Sequence, residues 1–331
     1  LHETGWHDGG TIAGWEHRYS SHMKNANVYA HAARWADGQY QAALAAYYDD
    51  IDHDGVDEVV VHNQKIMAVF ESIGGKVNWL FYKDGLGNAH SVVGSDMAYW
   101  SETDGDYNES SNNHVAALSD VYPYQQDAVY DINIIQSSGD TVIVELSQWG
   151  VKKRIELTTG VNYLDVMYDF FAGDGYVKSG FSPGLMDLVW SGKNHVQRMW
   201  GDYGSYCGQR NSSSGATVAL VLGNGGAQHN LQFEGTLVLG DEIKGSDQFF
   251  TRLFAGYTSD PTGTTVPELN TLASENMDVF PPTLNPTAFQ VDNNTIELTF
   301  SEALEFYSAQ NEDNYTLQGF SGSYTIINAI R

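Results

Sequence analysis

The sequence predicts a mainly β protein: a large antiparallel β-sandwich, preceded by two α-helices and followed by a small immunoglobulin-like sandwich. Three observations carry that expectation. Short apolar runs of period two fill the middle of the chain, with Gly, Asn and Asp between them. An Ala-rich stretch with three- and four-residue apolar spacing precedes them, and a Pro-, Ser- and Thr-rich stretch followed by further alternating segments comes after.

Residues 1–48 form the helical segment of this scheme. WEHRYSSHMKNANVYAHAARW places Trp15, Tyr19, His22, Met23 and Ala26 on one helical face, Asp37-Gly38 supplies a break, and QYQAALAAYY reads as a second helix. The simplest role for Met23, Tyr29 and Trp35 is packing. Residues 49–257 contain EVVVHN, KIMAVFES, KVNWLFYKD, DTVIVELSQ, KKRIELTTG and NYLDVMYDFF, broken by KDGLGN and SSGD. About 210 residues exceed a simple immunoglobulin sandwich and imply a larger two-sheet body. Residues 258–282 hold four of the seven prolines and read as a linker with one helical turn. From 283 to 331, PTAFQVDNNTIELTFSEAL alternates around an Asp-Asn-Asn turn, as expected of an immunoglobulin-like module that is incomplete at Arg331. The start at LHETGWHDGG and the stop at TIINAIR lead to the expectation of a processed or truncated piece of a longer protein.

Composition narrows the function. The chain has 331 residues, 42% of them hydrophobic, enough for a sizeable core and two or three domains. Sixteen basic against 42 acidic residues give a formal charge of −26, which disfavours nucleic acid and anionic membranes as partners. Such acidity suits a salty or calcium-rich extracellular setting. Cys207 is the single cysteine, so neither an intrachain disulfide nor a cysteine-based metal cluster can form. No apolar run reaches the roughly 18–20 residues that span a bilayer, so no membrane insertion is expected.

The most informative stretch is DDIDHDGVDEVVVHN, residues 49–63, with six carboxylates in its first ten positions. Asp50, Asp52 and Asp54 alternate, Gly55 permits a sharp turn, the Val56 carbonyl falls at loop position seven, and Glu58 falls at position nine. Calcium takes six to eight oxygen ligands and fits this spacing. An EF-hand would need Glu at position twelve, where Val61 stands, so the expectation is a calcium loop leading into a strand. The alternative is a solvated acidic turn without metal.

Two further clusters attract notice. His2, Glu3 and His7 invite a zinc reading, but their spacing departs from H-E-x-x-H, which puts both imidazoles on one helical face. Trp6, His7, Asp8 and Trp15 suit sugar recognition, in which rings stack on pyranose faces while polar groups meet hydroxyls; a loop with buried tryptophans explains them equally well. LVWSGKNHVQRMWGDYGSYCGQR, residues 188–210, offers Trp190, His195, Trp200 and Tyr203 for a carbohydrate cleft, with a plain edge loop as the alternative. Glycoside hydrolysis needs two carboxylates about 5–10 Å apart, and 42 acidic residues leave that pair unassignable from sequence. G-x-S-x-G elbows and phosphate-binding or dinucleotide glycine motifs are absent.

HETGWHDGG, GWEHRYSSHMKNANVYAHAARW and DIDHDGVDEVVVHNQKIMAVFESIGGKVNWLF together resemble the region after the catalytic barrel in glycoside hydrolase family 57. The resemblance covers residues 1 to about 85, and 86–257 by architecture. It implies the C-terminal part of an exported protein acting on or binding α-glucan-type polysaccharide, extracellular or at the cell surface. The partners it implies are the polysaccharide and a missing upstream barrel or neighbouring subunits. That family's catalytic carboxylates lie on barrel strands, which have no counterpart here, so no catalytic residue is carried over. PPTLNPTAFQVDNNTIELTFSEALEFYSAQNEDNYTLQG is similar to the bacterial immunoglobulin-like spacer modules of secreted and surface proteins. The rival expectation is a non-catalytic surface or filament protein that retains a glycosidase accessory domain.

Overall fold

A computed structural model describes residues 7–8, 11–12, 14–40, 42–94, 116–118, 120–122, 128–170, 175–180, 182, 195–201, 205–222, 232–234, 237–243, 248–263, 265–275, 284–290, 296–300, 317–319 and 322–324. A short pair, β1 (His7–Asp8) and β2 (Thr11–Ile12), precedes helix α1 (Gly14–Ala36). Val28, Ala32 and Trp35 recur at helical spacing and are buried, which gives α1 one apolar face. Gly38, at φ 74°, ends the helix in the left-handed conformation that glycine tolerates, as the Asp37-Gly38 break predicts.

The expected second helix is a strand instead. Ala45–Asp49 forms β3 and pairs antiparallel with β4 (Glu58–His62), in the register Ala45↔His62 through Asp49↔Glu58. Alanine is the best helix former, but helix propensity amounts to less than about 1 kcal/mol per residue, and closing a hairpin around the acidic loop outweighs it. The meander continues through β5 (Ile66–Glu71), β6 (Lys76–Lys83) and β7 (Ala89–Gly94), giving a five-stranded sheet in sequence order.

Next come β8 (Asp120–Tyr122), β9 (Asp131–Gln136), β10 (Thr141–Gln148), β11 (Val151–Thr158) and β12 (Tyr163–Phe170). They are followed by β13 (Gly175–Lys178), β14 (Val196–Trp200), β15 (Tyr206–Asn211) and β16 (Ala216–Leu222). Then β17 (Gln232–Glu234), β18 (Leu237–Ile243) and β19 (Gln248–Tyr257) complete the large body. An eight-stranded antiparallel sheet has the order β14-β15-β16-β19-β12-β11-β10-β9, and β17-β18-β13-β8 form a four-stranded sheet.

Burial explains the two kinds of strand seen in the sequence. Along β10 and β11 buried and half-buried residues alternate, because one face of the eight-stranded sheet meets the core. β4 is buried throughout, and β5 and β6 are buried at all but their last residues. One face of these strands shares a core with the large sheet, in which Val59, Val61, Phe70 and Leu80 join Val144, Ile155, Val166, Val218 and Leu253. The opposite face meets α1, where Val60, Met67, Val69, Trp79 and Phe81 pack with Val28, Ala32 and Trp35. The order of layers is therefore helix, five-stranded sheet, eight-stranded sheet. The mainly β class and the antiparallel sandwich expected from the sequence describe this chain.

Inside the sandwich, Lys153 is fully buried. Its Nζ donates to the carbonyls of Gly74, Gly75 and Leu118 and lies 4.9 Å from the Tyr130 ring centre and 5.6 Å from that of Tyr168.

The first part of the stretch read as a linker is packed against the sheet as far as Glu275. Helix α2 (Pro267–Ser274) provides the expected helical turn, and Val266, Leu269 and Leu272 are buried. The Tyr206 hydroxyl accepts from Val266 N at 2.7 Å, and Arg252 bridges Asp165 and Glu275 beneath the Tyr163 ring. Apolar residues at helical spacing inside a Pro-rich stretch account for this docking. The chain divides into two compact units between Met277 and Asp278. In the second, β20 (Leu284–Gln290) pairs with β21 (Ile296–Phe300), and β22 (Leu317–Gly319) pairs with β23 (Gly322–Tyr324). Among the described residues, no helix is long and apolar enough to cross a membrane.

Candidate metal centre

The acidic loop between β3 and β4 is shaped by its own side chains. Asp50 accepts from Asp54 N at 2.9 Å and from Gly55 N at 3.1 Å, and Asp54 Oδ1 accepts from Val56 N at 2.7 Å. Such short-range carboxylate-to-amide bonds are the turn chemistry that Asp favours. His53 and Gly55 take positive φ, 64° and 93°, which curls the loop and turns carboxylates inward. Ile51 is fully buried in the core between α1 and the sheet, so the loop is anchored from below.

Three of the five expected ligand residues come together. Asp50, Asp52 and Glu58 each offer a carboxylate oxygen within 4.8 Å of the others. Asp54 is engaged differently: its Oδ2 lies 3.0 Å from Lys24 Nζ. Val56 exposes its side chain at the loop surface.

Two carboxylates of this cluster stand out. Asp52 and Glu58 are each 1% exposed. Glu58 Oε2 accepts from Ile51 N at 3.1 Å, whereas its buried Oε1 has no hydrogen-bond partner. Asp52 Oδ1 accepts from Asp54 N at 3.0 Å, and Oδ2 is ion-paired with Lys24 Nζ at 3.4 Å. Burial, followed by the charges of Glu71, Asp52 and Asp54, pushes the Glu58 carboxyl up to about 9. Asp52 is also raised, chiefly by burial, with Lys24 opposing the shift. A buried carboxylate without a partner is costly, and a divalent cation removes that cost by supplying the missing positive charge. Hard oxygen donors of mixed geometry match calcium better than a nitrogen- or sulfur-seeking metal.

Sequence reasoning missed the residues that hold the loop to α1. Lys24 reaches Asp52 and Asp54, and Asn27 Nδ2 donates to the Asp52 carbonyl at 3.0 Å. Next to Lys24, Asn25 Oδ1 accepts from Trp79 Nε1 at 2.6 Å. The available signal was Lys24-Asn25-x-Asn27, a polar patch interrupting the Ala-rich helix.

Of the residues expected to bind sugar, Trp6, Trp190 and Tyr203 lie outside the described residues; His7 and Asp8 form β1, and Trp15 lies in the first turn of α1. His195 immediately precedes strand β14 and Trp200 ends it, with Trp200 partly exposed. Arg210, from the same sequence cluster, is buried and pins the segment after β19, donating to the Thr258 carbonyl at 3.1 Å and meeting Asp260 at 2.9 Å.

No protein-family profile matches the chain, and no curated protein matches its sequence. Among solved structures, it is similar to YidC from Thermotoga maritima, at 12% identity over 70% of this chain and 54% of that one, with a TM-score of 0.39. It is also similar to the periplasmic domain of Thermotoga maritima YidC, at 15% identity over 61% and 84%, with a TM-score of 0.35. The 4-alpha-glucanotransferase from Thermococcus litoralis matches at 12% identity over 68% of this chain and 43% of that one, with a TM-score of 0.41. The chain thus spans about half the length of the first and less than half of the third. Overlaps of this extent identify neither family nor activity.

Proposed function

We propose that this chain is a calcium-braced β-sandwich module of an exported protein that acts on or binds α-glucan-type polysaccharide. The observation that carries the reading is the buried carboxylate oxygen Oε1 of Glu58, which has no hydrogen-bond partner, set beside Asp50 and Asp52 in a loop that α1 and the sheet hold together. Asp50, Asp52 and Glu58 are the ligands, with Asp54 and the Val56 carbonyl completing the oxygen set. The ion has no part in a reaction. It neutralises the cluster and ties the helical layer to the first hairpin of the sandwich.

The saccharide part of the reading is supported by the resemblance of residues 1 to about 85 to the post-barrel region of glycoside hydrolase family 57. The net charge of −26 is in keeping with a calcium-rich extracellular setting. The test is calorimetric titration of calcium into the chain after unfolding in chelator and refolding without metal. One ion per chain, lost in Asp52→Asn, supports the reading; no binding heat and no metal by elemental analysis would refute it. In parallel, soluble and immobilised α-glucans report retention on the polymer and release of reducing ends.

A further inference from the structure

A cleft of about 560 Å³ opens at one end of the sandwich, where turns from both sheets meet. The β4–β5 turn contributes Lys65, the end of β6 and the following hairpin contribute Tyr82 and His90, the β11–β12 turn contributes Asn162, and the end of β19 contributes Tyr257. Its volume falls within the range of small-molecule sites.

The aromatic groups of the cleft are fixed before any ligand arrives. Tyr82 and His90 stack at 4.8 Å with 17° between their planes. Asp84 orients His90: it accepts from Leu86 N and Asn88 N at 2.8 Å and from Asn88 Nδ2 at 3.0 Å, and its Oδ2 meets His90 Nε2 at 2.9 Å. These bonds, with His90 first, hold the Asp84 carboxyl well below the usual carboxylate range. With its lone pairs committed, Asp84 is a positioning residue. Tyr257 is 60% exposed, yet its ring lies against Gly215, where a Cβ would stand 2.5 Å from the ring carbon Cε2. A large ring that is open to solvent on one face and seated on glycine at the other is a preorganised platform.

The charge of the cleft narrows its ligand. The Lys83 ammonium is turned away, 5.3 Å over the Trp35 ring and 3.5 Å from the Ala36 carbonyl. Lys65 and Asp84 then balance, while the whole chain carries −26 and repels anions. A neutral polyhydroxyl ligand with an apolar C–H face matches this lining.

We propose that this cleft is a subsite for a neutral glucose oligomer, with Tyr257 as the stacking face and His90, Asn162 and Lys65 as hydroxyl partners. The inference rests on the polysaccharide reading above and gives that reading a location. Maltohexaose is the probe, titrated by calorimetry into the full calcium-loaded chain and into Tyr257→Ala, Tyr257→Phe and Trp149→Ala. Trp149 is 78% exposed in the turn between β10 and β11, whose residues do not line the cleft, and it serves as the control. Stacking predicts about tenfold weaker binding for Tyr257→Ala and near-normal binding for Tyr257→Phe and Trp149→Ala. Unchanged affinity in Tyr257→Ala would overturn the cleft assignment while leaving the polysaccharide reading in place. Failure of the unmodified chain to bind maltohexaose or an immobilised α-glucan would overturn both.

Discussion

Replacing Glu58 by Gln isolates the effect of metal, because the amide keeps the size and neutrality of the protonated carboxyl that burial favours in the empty loop but cannot become a carboxylate ligand. The clustered ligand oxygens of Asp50, Asp52 and Glu58 lie within 4.8 Å of one another. Two unit charges at that separation repel by roughly 3.5 kcal/mol at an effective dielectric constant near 20. Lys24 offsets part of this at Asp52 and Asp54. Calcium at a hundred times its dissociation constant stabilises the folded chain by about 2.7 kcal/mol. In a unit of 277 residues each kcal/mol moves the melting temperature by roughly 2–4 °C, so calcium adds about 5–10 °C. The assay is thermal melting of both proteins in excess chelator and in millimolar calcium. We expect the curves to cross: Glu58→Gln melts at or above the unmodified chain in chelator, but well below it in calcium. Magnesium, which demands tighter octahedral geometry, gives the unmodified chain a smaller shift. Equal melting of the unmodified chain in calcium and in chelator, or a full calcium shift in Glu58→Gln, would refute the argument.

Three further predictions concern the frame around these sites. Burial pushes His62 down to about 4 from an ordinary 6.5, and Tyr40 and Tyr47 face its ring edge-on. The unfolded chain therefore binds a proton that the folded chain refuses, and stability of roughly 3 kcal/mol is lost as pH falls from about 6.5 to 4. Urea unfolding of His62→Phe between pH 4 and 7 should show a flatter acid limb, and an identical slope would count against the assignment. Lys153→Met strips the carbonyls of Gly74, Gly75 and Leu118 of their buried donor and should cost about 1–3 kcal/mol in denaturant unfolding. Arg252→Leu leaves the Asp165 carboxyl buried without its partner and frees Glu275, so limited proteolysis should cut within residues 258–275 faster than in the unmodified chain.

The parts legible in the sequence are those whose cause is local. DTVIVELSQ and KKRIELT announce strands because one face of their sheet is apolar, and D-x-D-x-D-G announces a tight acidic turn because its carboxylates bond backbone amides two to five residues on. AALAAYY misleads because its fate is decided by the partner strand across the acidic loop, not by its own preference. The Pro-rich composition of residues 258–282 suggests a linker, and the sheet that buries Val266, Leu269 and Leu272 lies too far away in sequence to be read from it. The cleft is invisible in the sequence for a different reason: Lys65, Tyr82, His90, Asn162 and Tyr257 come from separate turns, and only the pairing of distant strands makes them neighbours.

The position of β19 governs how the chain is assembled during synthesis. The groups β9–β12 and β14–β16 are each built from sequence neighbours, but β19 alone joins them, pairing with β12 on one side and β16 on the other. Until residue 257 has left the ribosome, β12 and β16 both present unpaired backbone edges. At about 5–20 residues per second, the stretch from the end of β16 to the end of β19 keeps those edges open for seconds. A chain cut short in that interval carries two sticky rims in place of a closed seam, and so do its copies. The last strand of the large sheet thus works as a zip fastener drawn late, and the nascent chain depends on whatever shields those rims until it closes.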